Sequence, residues 1–330
     1  MKYFVTGATG FIGSRVASRL LDAGHTLTAL VRDPAKAAWL AKRGAEIAVG
    51  DVTDIESLRS GMGGSDGVFH IAGWYLTGVK DTTPAARINI EGTRNVLQVM
   101  GELAIPKGVY TSTLAVNSNT RGRLVDESYR YDGPHLSEYD RTKWVAQREI
   151  AEPLMAAGLP LVIVLPGAVY GPGDHSAVGQ SFAQYLRGKL ALIPRESALC
   201  WAHVEDIAAA HLLAMDKGRS GESYIIAGPP HTLEEAFAIA EGITGVPAPR
   251  LRISPKAMRL LAGIMAVVGA VVPLPQLYHP ENLRITAGVT YLGSNKKAQD
   301  KLGYRPRPLK EGLEPTLFAM AKELGLALRG

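Results

Sequence analysis

Three glycines, Gly7, Gly10 and Gly13, sit between the apolar run Lys2 to Val5 and a helical pattern from Phe11 to Ala23 that Gly24 stops. In Thr6-Gly7-Ala8-Thr9-Gly10-Phe11-Ile12-Gly13 they let the chain turn tightly off a strand, approach a pyrophosphate closely, and pack the next helix against that strand. A helix starting there offers unpaired N–H groups and a positive dipole end, which makes Thr9, Gly10, Phe11 and Ile12 candidate phosphate contacts. Glycine spacing alone is a weak signal. Its position after a strand and before a helix is what gives it weight against a ligand-free turn.

The alternation continues along the first half. Thr26 to Val31, Glu46 to Val49, Gly67 to Ile71, Gly108 to Ser112 and Leu161 to Leu165 read as strands. Pro34 to Arg43, Ile88 to Leu103 and Tyr139 to Ala157 read as helices, the first opened by proline and closed by Gly44. Such alternation predicts an α/β chain whose doubly wound parallel sheet is covered on both faces, with ligands at the carboxyl ends of the strands. We expect residues 1–165 to form this dinucleotide-binding domain, joined by a returning helix at roughly 202–216. Residues 166–201 and 217–330, richer in proline and less regular, are expected to form a smaller substrate-binding domain.

Hydrophobic residues at 46% and charged residues at 20% give an ordinary globular balance, which argues against a disordered chain. The net charge of +5 is spread without a dense basic stripe, so nucleic acid is not an expected partner; a multiply phosphorylated small ligand suits it. Cys200 is the one cysteine, excluding an internal disulfide. Nothing at the start of the chain reads as a signal peptide, and a cytoplasmic location is expected. The most apolar stretch, Leu260 to Val272, falls short of the ~20 residues of a membrane span. It is expected as a buried or substrate-facing helix, with contact to a membrane surface as the other reading. No metal ligand is nominated.

The second strand ends in Leu30-Val31-Arg32-Asp33-Pro34. A carboxylate at this tip holds the 2′-hydroxyl of NAD, whereas an arginine accepts the 2′-phosphate of NADP. Arg32 falls at the tip and suits the phosphate, with a solvated arginine as the alternative; Asp33 turns toward the next helix. NADP(H) is therefore preferred and NAD(H) stays open.

Tyr139 and Lys143 stand four apart, on one face of their helix. A phenol with a pKa of about 10 is a poor acid-base group at neutral pH, and a neighbouring ammonium together with an oxidised nicotinamide lowers it. Tyr139 can then donate a proton to a carbonyl oxygen as hydride reaches carbon, or do the reverse. Val109-Tyr110-Thr111-Ser112-Thr113 reads as a strand ending in hydroxyls, of which Thr113 or Ser112 could donate a second bond to that oxygen.

With these motifs in place the chain resembles an extended short-chain dehydrogenase/reductase, a Rossmann-type fold, along nearly its whole length. Gly50-Asp51-Val52, His70-Ile71-Ala72-Gly73, Asn89-Ile90-Glu91-Gly92-Thr93, Pro166 to Asp174 and His203-Val204-Glu205-Asp206 are further marks of it. The resemblance implies that Asp51 and Val52 flank adenine and that Ala72 and Gly73 line the central ribose. It also implies that Lys143 bonds the nicotinamide ribose, that Pro166 to Val169 pass beside the nicotinamide, and that Thr113 holds the catalytic serine/threonine position. Asp51, Asn89 and Tyr170 also have ordinary readings as turn, helix and core residues. A homodimer through the helices of Tyr139 and Asn89 is implied as well.

Leu30 to Pro34 and Val109 to Thr113 resemble the dihydroflavonol reductase, cinnamoyl-CoA reductase and 3β-hydroxysteroid dehydrogenase branch. The expected function is NADPH-dependent reduction of a ketone or aldehyde, reversibly an alcohol dehydrogenase. Trp74, Tyr75, Tyr170, Trp201 and the 258–278 segment are candidate pocket walls, suiting an apolar or aromatic substrate. A sugar-nucleotide epimerase is the alternative. Against it, Ala168 stands where many such epimerases carry asparagine, and Ser197 to Trp201 is apolar for a diphosphate pocket. A non-catalytic dinucleotide sensor is a third reading, since fold does not fix function.

Overall fold

The computed structural model describes residues 1–79 and 81–328. Strands β1 (Lys2–Thr6), β2 (Thr26–Val31), β3 (Glu46–Val49), β4 (Gly67–His70), β5 (Gly108–Thr111), β6 (Leu161–Pro166) and β7 (Ser223–Ile226) form one sheet. Their order is β3-β2-β1-β4-β5-β6-β7, and every pairing is parallel. This is the doubly wound Rossmann-like arrangement. The sequence reading contains no strand at Ser223–Ile226, a segment it places with the second region. There, Ser223 to Ile226 pair in register with Ile163 to Pro166.

Period-2 side-chain alternation fills both sides of the sheet. Tyr3, Val5, Leu27, Ala29, Phe69, Val109, Val162 and Val164 face one core, with Val16, Ala17 and Leu20 of helix Phe11–Asp22 and Ile207 and Ala208 of helix Val204–Lys217. The interleaved residues Phe4, Leu30, Val68, Tyr110, Leu161, Ile163 and Leu165 face the other, with Val96, Leu97, Met100, Ala146 and Ile150. A fully buried Phe or Leu here contributes about 1.5–3 kcal/mol relative to exposure. The returning helix Val204–Lys217 packs along Phe11–Asp22, and Arg19 bonds Glu205 at 2.8 Å.

The remainder builds a smaller C-terminal unit. Strand Ala198–His203 pairs with Ala168–Tyr170, Pro230–Thr232 and Thr290–Tyr291. Tyr170 and Trp201, candidate pocket walls by sequence, belong instead to its core with Phe182, Tyr185 and Phe237. Tyr170 Oη donates to the Leu309 carbonyl and Trp201 Nε1 to that of His231, so both polar ends are satisfied inside. The apolar helix also departs from expectation. Pro255–Val271 buries Met258 and Ala262 and leaves much of its surface open.

Candidate active site at the carboxyl edge of the sheet

β1 continues to β2 and β3 on one side, whereas β4 leads to β5 and β6 on the other, so the strand order reverses between β1 and β4. A crevice opens at such a point. Gly7 stands at its edge with φ +74°, and a Cβ there would lie 2.7 Å from the Ala72 nitrogen. A Cβ on Gly13 would lie 2.0 Å from the Gly7 carbonyl oxygen. The tight turn and the close helix–strand contact therefore both require glycine. Helix Phe11–Asp22 begins at Gly10 with no side-chain cap and no acid in its first turn, leaving its first N–H groups available to an anion. These are the features an adenine dinucleotide's pyrophosphate needs, and the residues fit that group.

Arg32 follows β2, three-quarters exposed, with Nε 3.8 Å from Asp51 Oδ2 beyond β3. Asp33 accepts from the Ala35 nitrogen and caps the turn Pro34–Ala37. Asp51 Oδ1 also accepts from Thr53 N and Oγ1, which fixes its carboxylate at the crevice rim. The Val52 side chain is buried against Gly92. Between the β1 and β4 ends, Thr6 Oγ1 accepts from the nitrogens of Ile71 and Ala72 and bonds His70 Nδ1 at 2.8 Å. Pro166 ends β6, and Val169 lies in the next strand, half-buried. A Cβ on the intervening Gly167 would lie 2.1 Å from the Cys200 carbonyl oxygen, so the chain there runs hard against Ala198–His203.

Helix Glu138–Val145 is started by Ser137, whose Oγ accepts from Asp140 N at 3.1 Å, and it carries Tyr139 and Lys143 on one face. Glu281 reaches from a distant segment to accept from Glu138 N, while Asn89 Nδ2 donates to Thr142 and to the Trp74 carbonyl. Thr113 follows β5 in extended geometry, its hydroxyl accepting from Ala115 N at 3.2 Å and lying near enough to Tyr139 to pull that phenol's pKa down. Ser112, the other hydroxyl, turns away and donates to Gln147 Oε1 at 2.5 Å. The structure thus brings Thr113, Tyr139 and Lys143 together and leaves Ser112 outside.

Electrostatics differ from the sequence expectation. Burial pushes the Tyr139 phenol up to about 12, with the Thr113 hydroxyl pulling the other way. Burial also brings Lys143 down to about 7. Its Nζ donates to neutral acceptors, Tyr110 Oη at 3.1 Å and the Thr111 carbonyl at 2.8 Å, and lies over the Tyr110 ring. In the protein alone, desolvation outweighs any ammonium–phenolate attraction.

Tyr110 is the residue the sequence reading missed. It is fully buried, stacks on His70 and faces Thr93, which bonds His70 Nε2 at 3.1 Å. Its signal was β5's own alternation, which turns residue 110 toward the helix of Lys143. Asp140, raised by burial to about 7, accepts from Tyr291 Oη beside the site.

Residues 3–227 match the NAD dependent epimerase/dehydratase family. The chain belongs to that family. Curated members similar to it include "Sterol demethylase protein B" of Methylococcus capsulatus, 31% identical over 96% of this chain and 94% of the relative. A "Putative dihydroflavonol 4-reductase" of Synechocystis is also 31% identical, over 94% and 92%. Among solved structures, the crystal structure of gox2253 superposes with a TM-score of 0.83 at 30% identity, covering 98% of both chains. The resemblance to extended short-chain dehydrogenase/reductases is thereby established, and with it an NAD(P)-dependent oxidoreductase-type enzyme. Members of this family include reductases and epimerases, and membership does not choose between them.

Proposed function

We propose that the protein is an NADPH-dependent reductase of ketone or aldehyde carbonyls, working reversibly as an alcohol dehydrogenase. The observation that carries this reading is the convergence of Thr113, Tyr139 and Lys143 beside the crevice where β1 and β4 part. Bound NADPH supplies the hydride. The chain supplies everything else. A substrate carbonyl oxygen beside Thr113 and Tyr139 would accept from both hydroxyls. Tyr139 donates the proton as the oxygen gains charge. Lys143, whose Nζ donates to Tyr110 and to the Thr111 carbonyl, would bond the ribose next to the nicotinamide and offset the phenolate left behind.

Gly7, Thr9, Gly10, Phe11, Ile12 and Gly13 would hold the pyrophosphate, with Asp51 and Val52 at the adenine and Ala72 and Gly73 along the ribose. Pro166 and Val169 would border the nicotinamide. Arg32, exposed and at the right strand end, favours the 2′-phosphate of NADP(H) over NAD(H). Residues 1–166, the returning helix at roughly 202–216 and the strand Ser223–Ile226 would form the cofactor domain, the rest the substrate domain. Trp74, Tyr75 and Leu76 rim the crevice, with Tyr75 and Leu76 exposed, which suits an apolar or aromatic substrate.

NADPH consumption across ketones, aldehydes and sterols, with NADH alongside, tests the reading. A Tyr139→Phe variant should bind NADPH with unchanged affinity and lose about 10² to 10⁴-fold in turnover. Undiminished turnover in that variant would reject the mechanism. A nucleoside diphosphate sugar epimerised with retained oxidised cofactor would favour the epimerase alternative.

A further inference from the structure

Helix Pro255–Val271 has one side that no other described residue covers. Met258 and Ala262 are buried, and with half-buried Leu261 and Met265 they pack on Leu283 and Ala287. Around the helix from them lie Leu260, Ile264, Val267 and Val271, at 68%, 51%, 73% and 85% exposure. Their spacing of i, i+4, i+7 and i+11 puts them in one stripe, flanked by exposed Val268 and Val272. From Leu260 to Val271 the stripe runs along about 17 Å of the helix. Continuous exposed apolar surface of this kind marks an interaction site rather than ordinary surface scatter.

Charge identifies the partner. From 242 to 280 the sequence contains no Asp or Glu, whereas Arg250, Arg252, Lys256 and Arg259 cluster at the N-terminal end of the helix. Arg252 pairs with Glu234, but Arg250, Lys256 and Arg259 are exposed and have no ion pair among the described residues. Lys256 precedes Leu260 by one turn and so lies at the end of the apolar stripe itself. Glu196, the acid near the first turn, is next to Arg195. Apolar residues on one face with cations at the same edge are what an anionic bilayer surface recognises, the apolar face entering the acyl boundary and the cations meeting headgroups. No helix among the described residues is long and apolar enough to cross a membrane. The helix would therefore lie flat.

We infer that the exposed face of Pro255–Val271 is a docking surface for anionic lipid bilayers. Its placement gives this docking a use. The helix packs on Pro280–Ile285, whose Glu281 accepts from Gly78 N in the loop at the crevice mouth and from Glu138 N at the start of the Tyr139 helix. A chain seated in this way brings its crevice loop close to the membrane from which an apolar molecule would enter.

Co-sedimentation of the full chain with phosphatidylcholine vesicles, with and without phosphatidylglycerol, tests this without cofactor or substrate, so failure leaves the reductase reading untouched. The expected result is binding to anionic vesicles that weakens with salt. Lys256→Gln and Arg259→Gln should each weaken it about fivefold. Val267→Glu with Val271→Glu should abolish it, while the unfolding temperature stays at the parent value because both side chains are exposed. Absence of parent binding to anionic vesicles would overturn the inference. So would a solution dimer, seen by sedimentation velocity, that the Val267→Glu, Val271→Glu variant dissociates, since a second copy would then cover the face.

Discussion

Lys143 shows what burying an amine costs the fold. Burial holds it at about 7, against an ordinary 10.5, so the unfolded chain takes up a proton that the folded one refuses between those values. The stabilising effect of the neutral amine is complete above pH 10.5 and is lost as pH falls toward 7. Lys143→Met does not titrate. Its unfolding free energy relative to the parent should therefore rise as pH is lowered from 10.5 to 7, at up to about 1.4 kcal/mol per unit, and level off below. Urea unfolding at a series of pH values checks this, and a pH-independent difference would show that Lys143 is solvated as a charge. Arg32 presents the opposite case, an exposed cation with one long contact to Asp51 and little to do for the fold. Arg32→Ala should weaken NADPH binding about 10- to 100-fold and leave NADH within a few-fold, measured by quenching of protein fluorescence. Equal losses for both cofactors would remove the arginine from the 2′-phosphate.

Among elements, the turn from β1 into helix Phe11–Asp22 has the least freedom. A Cβ at residue 13 would meet the Gly7 carbonyl, a backbone atom that cannot swing aside as a side chain can. Gly13→Ala should cost about 1–3 kcal/mol of stability and displace the loop enough to weaken NADPH binding. Thermal unfolding and cofactor titration on the same sample would record both, and a variant with parent affinity would mean that the helix start does not hold the phosphates. This turn was legible in the sequence because glycine spacing, strand and helix all occur within the first two dozen residues. The first six strands were legible for the same reason, as short apolar runs separated by helical patterns. What the sequence hid depended on contacts between distant segments. β7 is four residues long and becomes a strand by pairing with β6, some sixty residues earlier. Tyr170 and Trp201 look like pocket aromatics until Phe182 and Phe237 are seen around them. Helix Pro255–Val271 has the composition of a buried helix, and composition does not say which faces find partners. Tyr110 likewise becomes a partner of Lys143 only across 33 residues of chain.

At the scale of the whole molecule, the two regions meet where the chemistry is proposed. The sheet's carboxyl edge supplies the glycine turn, Arg32 and Thr113, and the late segment carrying Glu281 bonds both the loop at Gly78 and the start of the Tyr139 helix. Arg307 binds Asp206 through Nε and Nη2, fastening the C-terminal part to the returning helix Val204–Lys217 and so to the cofactor side. On the proposed mechanism a frame of this kind would hold hydride donor, carbonyl and phenol in one geometry, which is what converts binding into rate. The direct test follows the hydrogen itself. NADPH deuterated at nicotinamide C4 should deliver deuterium to the carbinol carbon of an apolar ketone, with the hydroxyl proton drawn from solvent, and Tyr139→Phe should slow that transfer while still binding the cofactor. A parent enzyme that binds NADPH yet places no deuterium in any carbonyl substrate, or a Tyr139→Phe variant that transfers it at the parent rate, would contradict the account.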